Sequence, residues 1–243
     1  MTKNRRQQLG IWAISTALLA ATGWAQEIPV KSGQKIAFLG DSITAGGMGN
    51  NGYCRLVISG LAANGITAEP IGAGVSGHKS NDMLARLDRD VISKKPDWMT
   101  LSCGVNDVWH GAKGVELEPY KKNITEIVDK TQAAGIKVMI LTSTMIKEDA
   151  SNDLNKKLAG YNEFLRELAK EKKCLLADLN ADMQATIAEM KKTNPLPAGK
   201  NYLTGDGVHM APAGNRMMAA GVLKGFGLSE AQLAKARDAW GAK

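Results

Sequence analysis

The amino-acid sequence contains few of the residues from which metal sites are usually built. Its 243 residues include three histidines, His78, His110 and His209, and three cysteines, with no Cys-x-x-Cys pair. A zinc site made of paired cysteines is therefore excluded. The pairs Gly40-Asp41 and Asn106-Asp107 invite comparison with metallophosphoesterases, but such sites need several histidine ligands, and this chain supplies too few.

Aromatic residues and strong net charge are also scarce. Phe, Trp and Tyr make up 5% of the chain, and the formal net charge is +7. The lysine pairs are scattered along the sequence, which is typical of solvated helix faces. A nucleic-acid groove would need a clustered basic patch interleaved with stacking aromatics. We therefore expect no nucleic-acid partner.

The N-terminus carries a mostly apolar stretch, Leu9–Ala21, that is too short to span a bilayer as a helix. It follows Lys3, Arg5 and Arg6 and precedes Gly23-Trp24-Ala25, which has small residues at its first and third positions. This order predicts a secretory signal over residues 1–25, cleaved after the last of them, and a secreted or periplasmic protein. A retained membrane anchor is the alternative. After cleavage we expect no stable membrane association.

The three cysteines, Cys54, Cys103 and Cys174, are an odd number for an oxidising compartment, so at most one disulfide can form. Cys103 and Cys174 lie in apolar, strand-like runs, which favours buried thiols.

Residues 26–243 alternate short apolar runs with amphipathic ones, and no repeat or linker divides them. Leu154, Leu158 and Tyr161 recur at helical spacing after Ser151, a predicted N-cap. The predicted strands are Lys35–Leu39, Thr67–Ile71, Asp97–Cys103, Lys137–Thr142 and Cys174–Asp178. Such alternation predicts a single α/β domain over residues 26–243, with a parallel sheet covered by helices on both faces.

In open parallel sheets, ligands bind at the carboxyl ends of the strands, so the segments that follow the strands are considered together. The first of them contains Ser42, and a later loop contains Asp206 and His209. An aspartate three residues before a histidine can hold the ring Nδ1–H, which leaves Nε2 free to take a proton from a serine hydroxyl. The chemistry predicts Ser42 as nucleophile, His209 as base and Asp206 as the residue that orients the base.

An acyl-transfer site also needs hydrogen-bond donors for the oxyanion that develops on the substrate. Gly77, after the second strand, can bring its backbone N–H close to a ligand because it has no side chain. Asn106, after the third strand, can offer its side-chain amide. Each of these residues is also common in ordinary turns.

Together these residues resemble the four sequence blocks of the SGNH hydrolase superfamily, also called the GDSL esterase/lipase family. The blocks are matched in order by Gly40-Asp41-Ser42, Gly74-Val75-Ser76-Gly77, Gly104-Val105-Asn106-Asp107 and Asp206-Gly207-Val208-His209. The resemblance implies a three-layer α/β/α, flavodoxin-like fold with a five-stranded parallel sheet. It also implies a Ser-His-Asp triad, no metal and no cofactor.

The resemblance further implies an oxyanion hole formed by the N–H groups of Ser42 and Gly77 and the side chain of Asn106. The second block begins with Gly72 where many relatives have Asn, which leaves the choice between Gly77 and Gly74 open.

The run from Gly72 to Gly77 also fits the dinucleotide fingerprint G-x-G-x-x-G. That fingerprint belongs to the first strand-to-helix turn, however, and this run follows the second predicted strand. The acid about 20 residues farther on, Asp97, lies at the wrong end of its strand to reach a ribose. We therefore reject a dinucleotide site.

The resemblance implies ester hydrolysis but leaves the ester open, because specificity depends on loops. Short loops and the lack of a long apolar segment favour a small acyl group, such as acetyl, on a saccharide. Trp109 is either a platform for a sugar ring or a core residue. His110 and Tyr202 are further candidates for substrate binding, and His78 is given no role. The alternatives are a lysophospholipase or arylesterase, or a non-catalytic carbohydrate-binding protein.

Overall fold

The computed structural model describes residues 28–241, so the predicted signal sequence lies outside the described residues. The strands, in chain order, are β1 Lys35–Gly40, β2 Glu69–Gly74, β3 Trp98–Ser102, β4 Lys137–Leu141 and β5 Leu175–Ala177. They form one sheet with the order β2-β1-β3-β4-β5, in which every neighbouring pair is parallel. The predicted α/β fold with a five-stranded, flavodoxin-like parallel sheet is confirmed.

Helices cover both faces of this sheet. In chain order they are α1 Ser42–Gly47, α2 Tyr53–Ala63, α3 Ser80–Asp90, α4 Val105–Trp109, α5 Leu117–Ala133, α6 Asp153–Glu171, α7 Leu179–Thr193, α8 Pro212–Gly225 and α9 Glu230–Ala239. Contacts join α3 to α5 and α5 to α6, and they join α8 to α2, α7 and α9. These two groups are the outer layers. Within the described residues, no helix is long and apolar enough to cross a membrane.

The central strands explain why the sheet is a rigid base for the loops. All residues of β3 are buried, and in β1 only Lys35 is partly exposed. Burial on both faces is what their near-continuous apolar sequences predict for a parallel sheet. The strand order reverses direction between β1 and β3, so the crevice at this switch point lies where these two strands end.

Several predicted boundaries were wrong by one to three residues, and two of them show why. Strand β2 runs to Gly74 rather than ending at Ile71, because a parallel register with β1 continues to the pair Gly40 and Gly74. The helix predicted to begin after Ser151 is capped by Asn152, whose side chain accepts the N–H of Asn155 at 2.8 Å. The Ser151 hydroxyl donates instead to Asp149.

The cysteines are free thiols in residues 28–241. Cys54 and Cys103 are buried, as expected for Cys103, whereas Cys174 is only partly buried.

Candidate active site

Strand β1 leads directly into the turn that begins helix α1 with Ser42. Asp41 caps this helix, because its Oδ1 accepts the N–H of Ile43 at 2.9 Å. A Cβ atom at Gly40 would overlap the side chain of Thr44 in the first turn of α1. Only glycine therefore lets the helix begin this close to the strand. Ser42 is left partly exposed at the carboxyl end of a central strand.

The loop before α8 brings His209 and Asp206 to this serine. Nε2 of His209 lies 2.8 Å from Oγ of Ser42, and Nδ1 lies 2.6 Å from Oδ2 of Asp206. An ionised carboxylate only accepts hydrogen bonds, so the ring carries its proton on Nδ1, and Nε2 accepts from the serine hydroxyl. The structure thus brings together the three residues that the sequence predicted.

Asp206 is held in its ionised form by hydrogen bonds. The His209 ring, the backbone N–H of His209 at 2.8 Å and that of Val208 at 2.9 Å all contact the Asp206 carboxylate. They hold the pKa of Asp206 below its ordinary value. The same hydrogen bonds fix the shape of the loop, since they join residues only two or three positions apart.

Glu148, which the sequence analysis missed, holds the segment just before this loop. Its Oε1 accepts the N–H of Leu203 at 2.7 Å and both the N–H and hydroxyl of Thr204 at 2.8 Å. Its Oε2 accepts the N–H of Tyr202. Lys147, the residue before Glu148, contacts the loop itself, because its backbone N–H donates to the carbonyl of Gly207 at 2.6 Å. The segment after β4 therefore supports the loop that carries Asp206 and His209.

Two of the candidate oxyanion donors belong to segments that follow β2 and β3, and the N–H of Val75 joins the first of these segments to the Gly40 carbonyl at 3.1 Å. Gly77 has φ +76°, and a Cβ atom there would meet nothing within 4 Å, so its backbone is open to a ligand. Gly74 packs directly against α1, where a Cβ atom would overlap the backbone of Ala45. Of the two glycines that the sequence left open, Gly77 is therefore the accessible one.

Asn106 lies in the first turn of α4 and contacts His78, the residue that follows Gly77. Its side-chain amide donates to the carbonyl of His78 at 3.1 Å. The nitrogen has two hydrogens, so one remains available for a ligand. The hydrogen bond fixes the direction in which this second hydrogen points.

Two carboxyl groups are buried beneath the site. Burial raises the pKa of Asp41 to about 6, and burial also raises the pKa of Asp107. Asp107 accepts hydrogen bonds from the N–H and hydroxyl of Ser80 at 3.0 and 2.6 Å and from the Cys103 thiol at 3.5 Å. These contacts tie the start of α3 to the start of α4. A buried arginine, Arg86, also lies below the site and was missed by the sequence analysis.

The candidate substrate-binding residues lie at two different places. Trp109, at the end of α4, is 42% exposed, so it is not a core residue, and His110 beside it is also exposed. Tyr202 contributes instead to a cleft of about 620 Å³ that it lines together with Asp206 and Gly207. Its hydroxyl accepts the N–H of Leu196 at 2.8 Å, which fixes the ring.

No cluster of three or more potential metal-ligating side chains occurs in the part of the chain that the structure describes. The structure brings together a serine hydroxyl, a histidine ring and a carboxylate, which are the types of group that acyl transfer uses.

Comparison with known proteins identifies the family to which this chain is similar. The sequence profile of the GDSL-like lipase/acylhydrolase family matches residues 38–217. The acetylxylan esterase of Geobacillus stearothermophilus is 28% identical over 218 residues, which cover 82% of this chain and 96% of that protein. This match therefore extends over nearly the whole length of the relative.

Solved structures of similar proteins agree with this match. The crystal structure of the acetyl xylan esterase AlAXEase has a TM-score of 0.72 at 36% identity and covers 78% of this chain and 98% of its own. A catalytic mutant of Axe2, an acetylxylan esterase from Geobacillus stearothermophilus with an aspartate replaced by alanine, has a TM-score of 0.72 at 28% identity, covering 82% and 97%. The resemblance seen in the four sequence blocks is confirmed: the chain belongs to the GDSL-like lipase/acylhydrolase family of the SGNH hydrolase superfamily and is a carboxylic ester hydrolase.

Proposed function

We propose that the protein hydrolyses acetyl esters of carbohydrates with a triad of Ser42, His209 and Asp206. The observation that carries the catalytic part is the unbroken chain of two short hydrogen bonds, 2.8 Å from Ser42 to His209 and 2.6 Å from His209 to Asp206. A neutral serine is a weak nucleophile and needs such a base, and the base needs a fixed tautomer.

In the first half-reaction, Ser42 Oγ attacks the ester carbonyl carbon while its proton passes to Nε2 of His209. The carbonyl oxygen becomes an oxyanion, which the N–H groups of Ser42 and Gly77 and the amide of Asn106 stabilise. Collapse of this intermediate breaks the bond to the sugar oxygen, which takes the proton from His209. Asp206 stabilises the imidazolium between these two transfers.

In the second half-reaction, water attacks the acyl group on Ser42 and gives a proton to His209. The bond to Oγ then breaks, the serine recovers the proton from the imidazolium, and acetic acid leaves and ionises in the solvent. Apart from the proton that acetic acid releases to the solvent, every proton passes between Ser42, His209, water and the sugar oxygen, so these steps need no cofactor.

Two observations support an acetylated saccharide as substrate. The relatives at 28% and 36% identity are acetylxylan esterases. Trp109 exposes 42% of its surface three residues after Asn106, where a ring can stack on a sugar. We also propose that the protein is secreted or periplasmic, on the strength of the sequence of residues 1–25.

Acyl-chain profiling separates this proposal from its lipid-directed alternative. In a long acyl channel, each buried CH₂ would contribute about 0.8 kcal/mol, so octanoyl esters would be strongly preferred over acetyl esters. We expect kcat/KM on 4-nitrophenyl esters to be highest for acetate and to fall with chain length. A preference for eight carbons or more would favour a lysophospholipase or related esterase instead.

Trp109→Ala tests the saccharide part of the proposal. If the ring stacks on a sugar, kcat/KM should fall about five- to tenfold on an acetylated xylo-oligosaccharide, since such stacking contributes on the order of 1 kcal/mol. Hydrolysis of 4-nitrophenyl acetate should change little, because that substrate has no sugar ring. Equal losses on the two substrates would remove Trp109 from saccharide recognition.

A further inference from the structure

Arg86, on α3, is a buried cation beneath the candidate active site. Its side chain is 4% exposed. Nη2 donates to the carbonyl of Gly40 at 2.8 Å, and Nη1 donates to the carbonyl of Ala73 at 2.8 Å. The guanidinium therefore joins the ends of β1 and β2.

The same guanidinium also contacts the segment after β2. Its Nε donates to Nδ1 of His78 at 3.0 Å, and Nη1 makes an ion pair with Asp90 at 3.0 Å. Burial and the nearby Arg86 cation lower the pKa of His78, which keeps the ring neutral and Nδ1 able to accept.

The residues that Arg86 contacts are close in the chain to Ser42 and Gly77 or are hydrogen-bonded to Asn106. Gly40 directly precedes the Asp41-Ser42 turn, and its carbonyl also accepts the N–H of Val75 at 3.1 Å, in the segment that leads to Gly77. His78 follows Gly77, and its carbonyl accepts the Asn106 amide.

We propose that Arg86 is a positioning residue that sets the relative placement of the three oxyanion donors, Ser42, Gly77 and Asn106. It touches none of the reacting atoms. It acts through the Gly40 and Ala73 carbonyls and the His78 ring, which belong to the segments that carry the donors. This inference rests on the proposed function, because it presumes an oxyanion at this place.

Arginine is suited to this task for a geometric reason. Its planar guanidinium presents five N–H donors in fixed directions, so one side chain can hold several acceptors at set distances. A lysine would keep the charge, but its single nitrogen cannot reach the two carbonyls and the imidazole in the same arrangement. Misplacement of catalytic groups by about 1 Å can cost on the order of 100-fold in rate.

The test uses Arg86→Lys and Arg86→Gln, with Arg89→Gln as the matched control. Arg89 lies on the same helix and also pairs with Asp90, at 2.7 Å, but it is exposed and contacts neither strand end. For each variant, kcat and KM are measured with 4-nitrophenyl acetate, together with Ki for a trifluoromethyl ketone. This inhibitor adds to serine and forms an oxyanion, so its Ki reports directly on the oxyanion donors.

We expect the Arg86 variants to lose about 10- to 100-fold in kcat, with KM within about twofold of wild type. Ki for the ketone should rise by a similar factor, and Arg89→Gln should change none of these values by more than about twofold. Circular dichroism checks that each variant is folded. Arg86→Lys is the decisive variant if Arg86→Gln unfolds.

Several results would overturn the proposal. They are a folded Arg86→Lys with wild-type kcat, a loss that appears only in KM, and an unchanged Ki for the ketone. Unfolding of both Arg86 variants would overturn it as well, because Arg86 would then be needed for stability rather than for positioning.

Asn106→Ala and Ser42→Ala separate a failure of this inference from a failure of the proposed function. If Ser42→Ala keeps its activity, the proposed function is wrong and the donors have no oxyanion to bind. If Ser42→Ala is inactive and Asn106→Ala lowers kcat while Arg86→Lys does not, only the inference about Arg86 is wrong. If Arg86 acts on the donors, Arg86→Lys should also cost less in the Asn106→Ala background than in wild type.

Discussion

Asn106 is the residue whose role can be isolated most cleanly, because its side chain is partly exposed and donates one hydrogen bond, to the His78 carbonyl. Asn106→Ala should lower kcat by about 10²–10³-fold with little change in KM, since an oxyanion donor acts mainly in the transition state. Steady-state kinetics on 4-nitrophenyl acetate measures both constants. An effect confined to KM would place Asn106 in ground-state binding instead.

The buried carboxyl of Asp41 should make the free energy of unfolding depend on pH. Burial raises its pKa from 3.8 to about 6; the nearby Asp107 carboxyl acts in the same direction, and the hydrogen bond from the Ile43 N–H acts in the opposite one. A carboxyl whose folded pKa is raised stabilises the fold fully below its unfolded pKa, and this contribution is lost as pH rises through the folded value. Ionisation of Asp41 should therefore lower the free energy of unfolding of the wild type as the pH rises from about 4 to about 6.

Asp41→Asn removes this titration but keeps an N-cap, because asparagine caps helices about as well as aspartate. Relative to wild type, the variant should gain on the order of 2–3 kcal/mol in free energy of unfolding between pH 4 and pH 7. Urea titrations at both pH values measure the gain, and the pH 4 comparison is the internal control. A difference that stays constant with pH would contradict the prediction.

The residues that could be predicted from the sequence bind other side chains, whereas those that could not be predicted bind mainly backbone groups. Ser42, Asp206 and His209 could be predicted because their chemistry requires one another and two of them lie three positions apart. Glu148 and Arg86 bind mainly backbone groups of distant segments, such as the N–H groups of residues 202–204 and the carbonyls of Gly40 and Ala73. Almost every residue type has these backbone groups, so no sequence motif indicates a hydrogen bond between a side chain and a distant backbone group.

At the scale of elements, Glu148 joins the segment after β4 to the segment that precedes α8. Glu148→Gln would replace one acceptor oxygen with an N–H₂ group that faces backbone donors, leaving at least one of them unsatisfied. We expect the free energy of unfolding to fall by about 1–3 kcal/mol. We also expect kcat to fall several-fold, because the Asp206 and His209 loop loses its support.

The control for this change is Glu163→Gln, since Glu163 is exposed on α6 and makes a surface ion pair with Arg166 at 3.2 Å. Thermal unfolding and kinetics on 4-nitrophenyl acetate should leave the control within error of wild type. If Glu148→Gln behaves like the control, the loop is held by its own hydrogen bonds and not by Glu148.

Element boundaries were predicted less well than element types, and β2 shows why. Gly72 and Gly74 weaken a strand pattern, so the sequence predicted an end at Ile71. The register with β1 and the close packing of α1 on Gly74 extend the strand, and both depend on tertiary contacts.

At the scale of the whole molecule, alternation of apolar and amphipathic runs was enough to predict a parallel α/β fold. Periodicity does not say which strands are neighbours. The flavodoxin-like sheet, which the structure shows as β2-β1-β3-β4-β5, was therefore expected only from the resemblance to a family. That order places the ends of β1 and β3 on either side of the switch point, which explains why residues from four distant blocks meet there.

Covalent labelling of Ser42 tests the central claim most directly. A fluorophosphonate reacts with a serine that a neighbouring base activates, and mass spectrometry gives both the stoichiometry and the labelled residue. We predict one phosphonyl group per chain, on Ser42, with loss of esterase activity in parallel, and neither labelling nor hydrolysis by Ser42→Ala. Labelling of Ser42→Ala at the wild-type rate, or retention of a tenth of the wild-type kcat by that variant, would contradict the account.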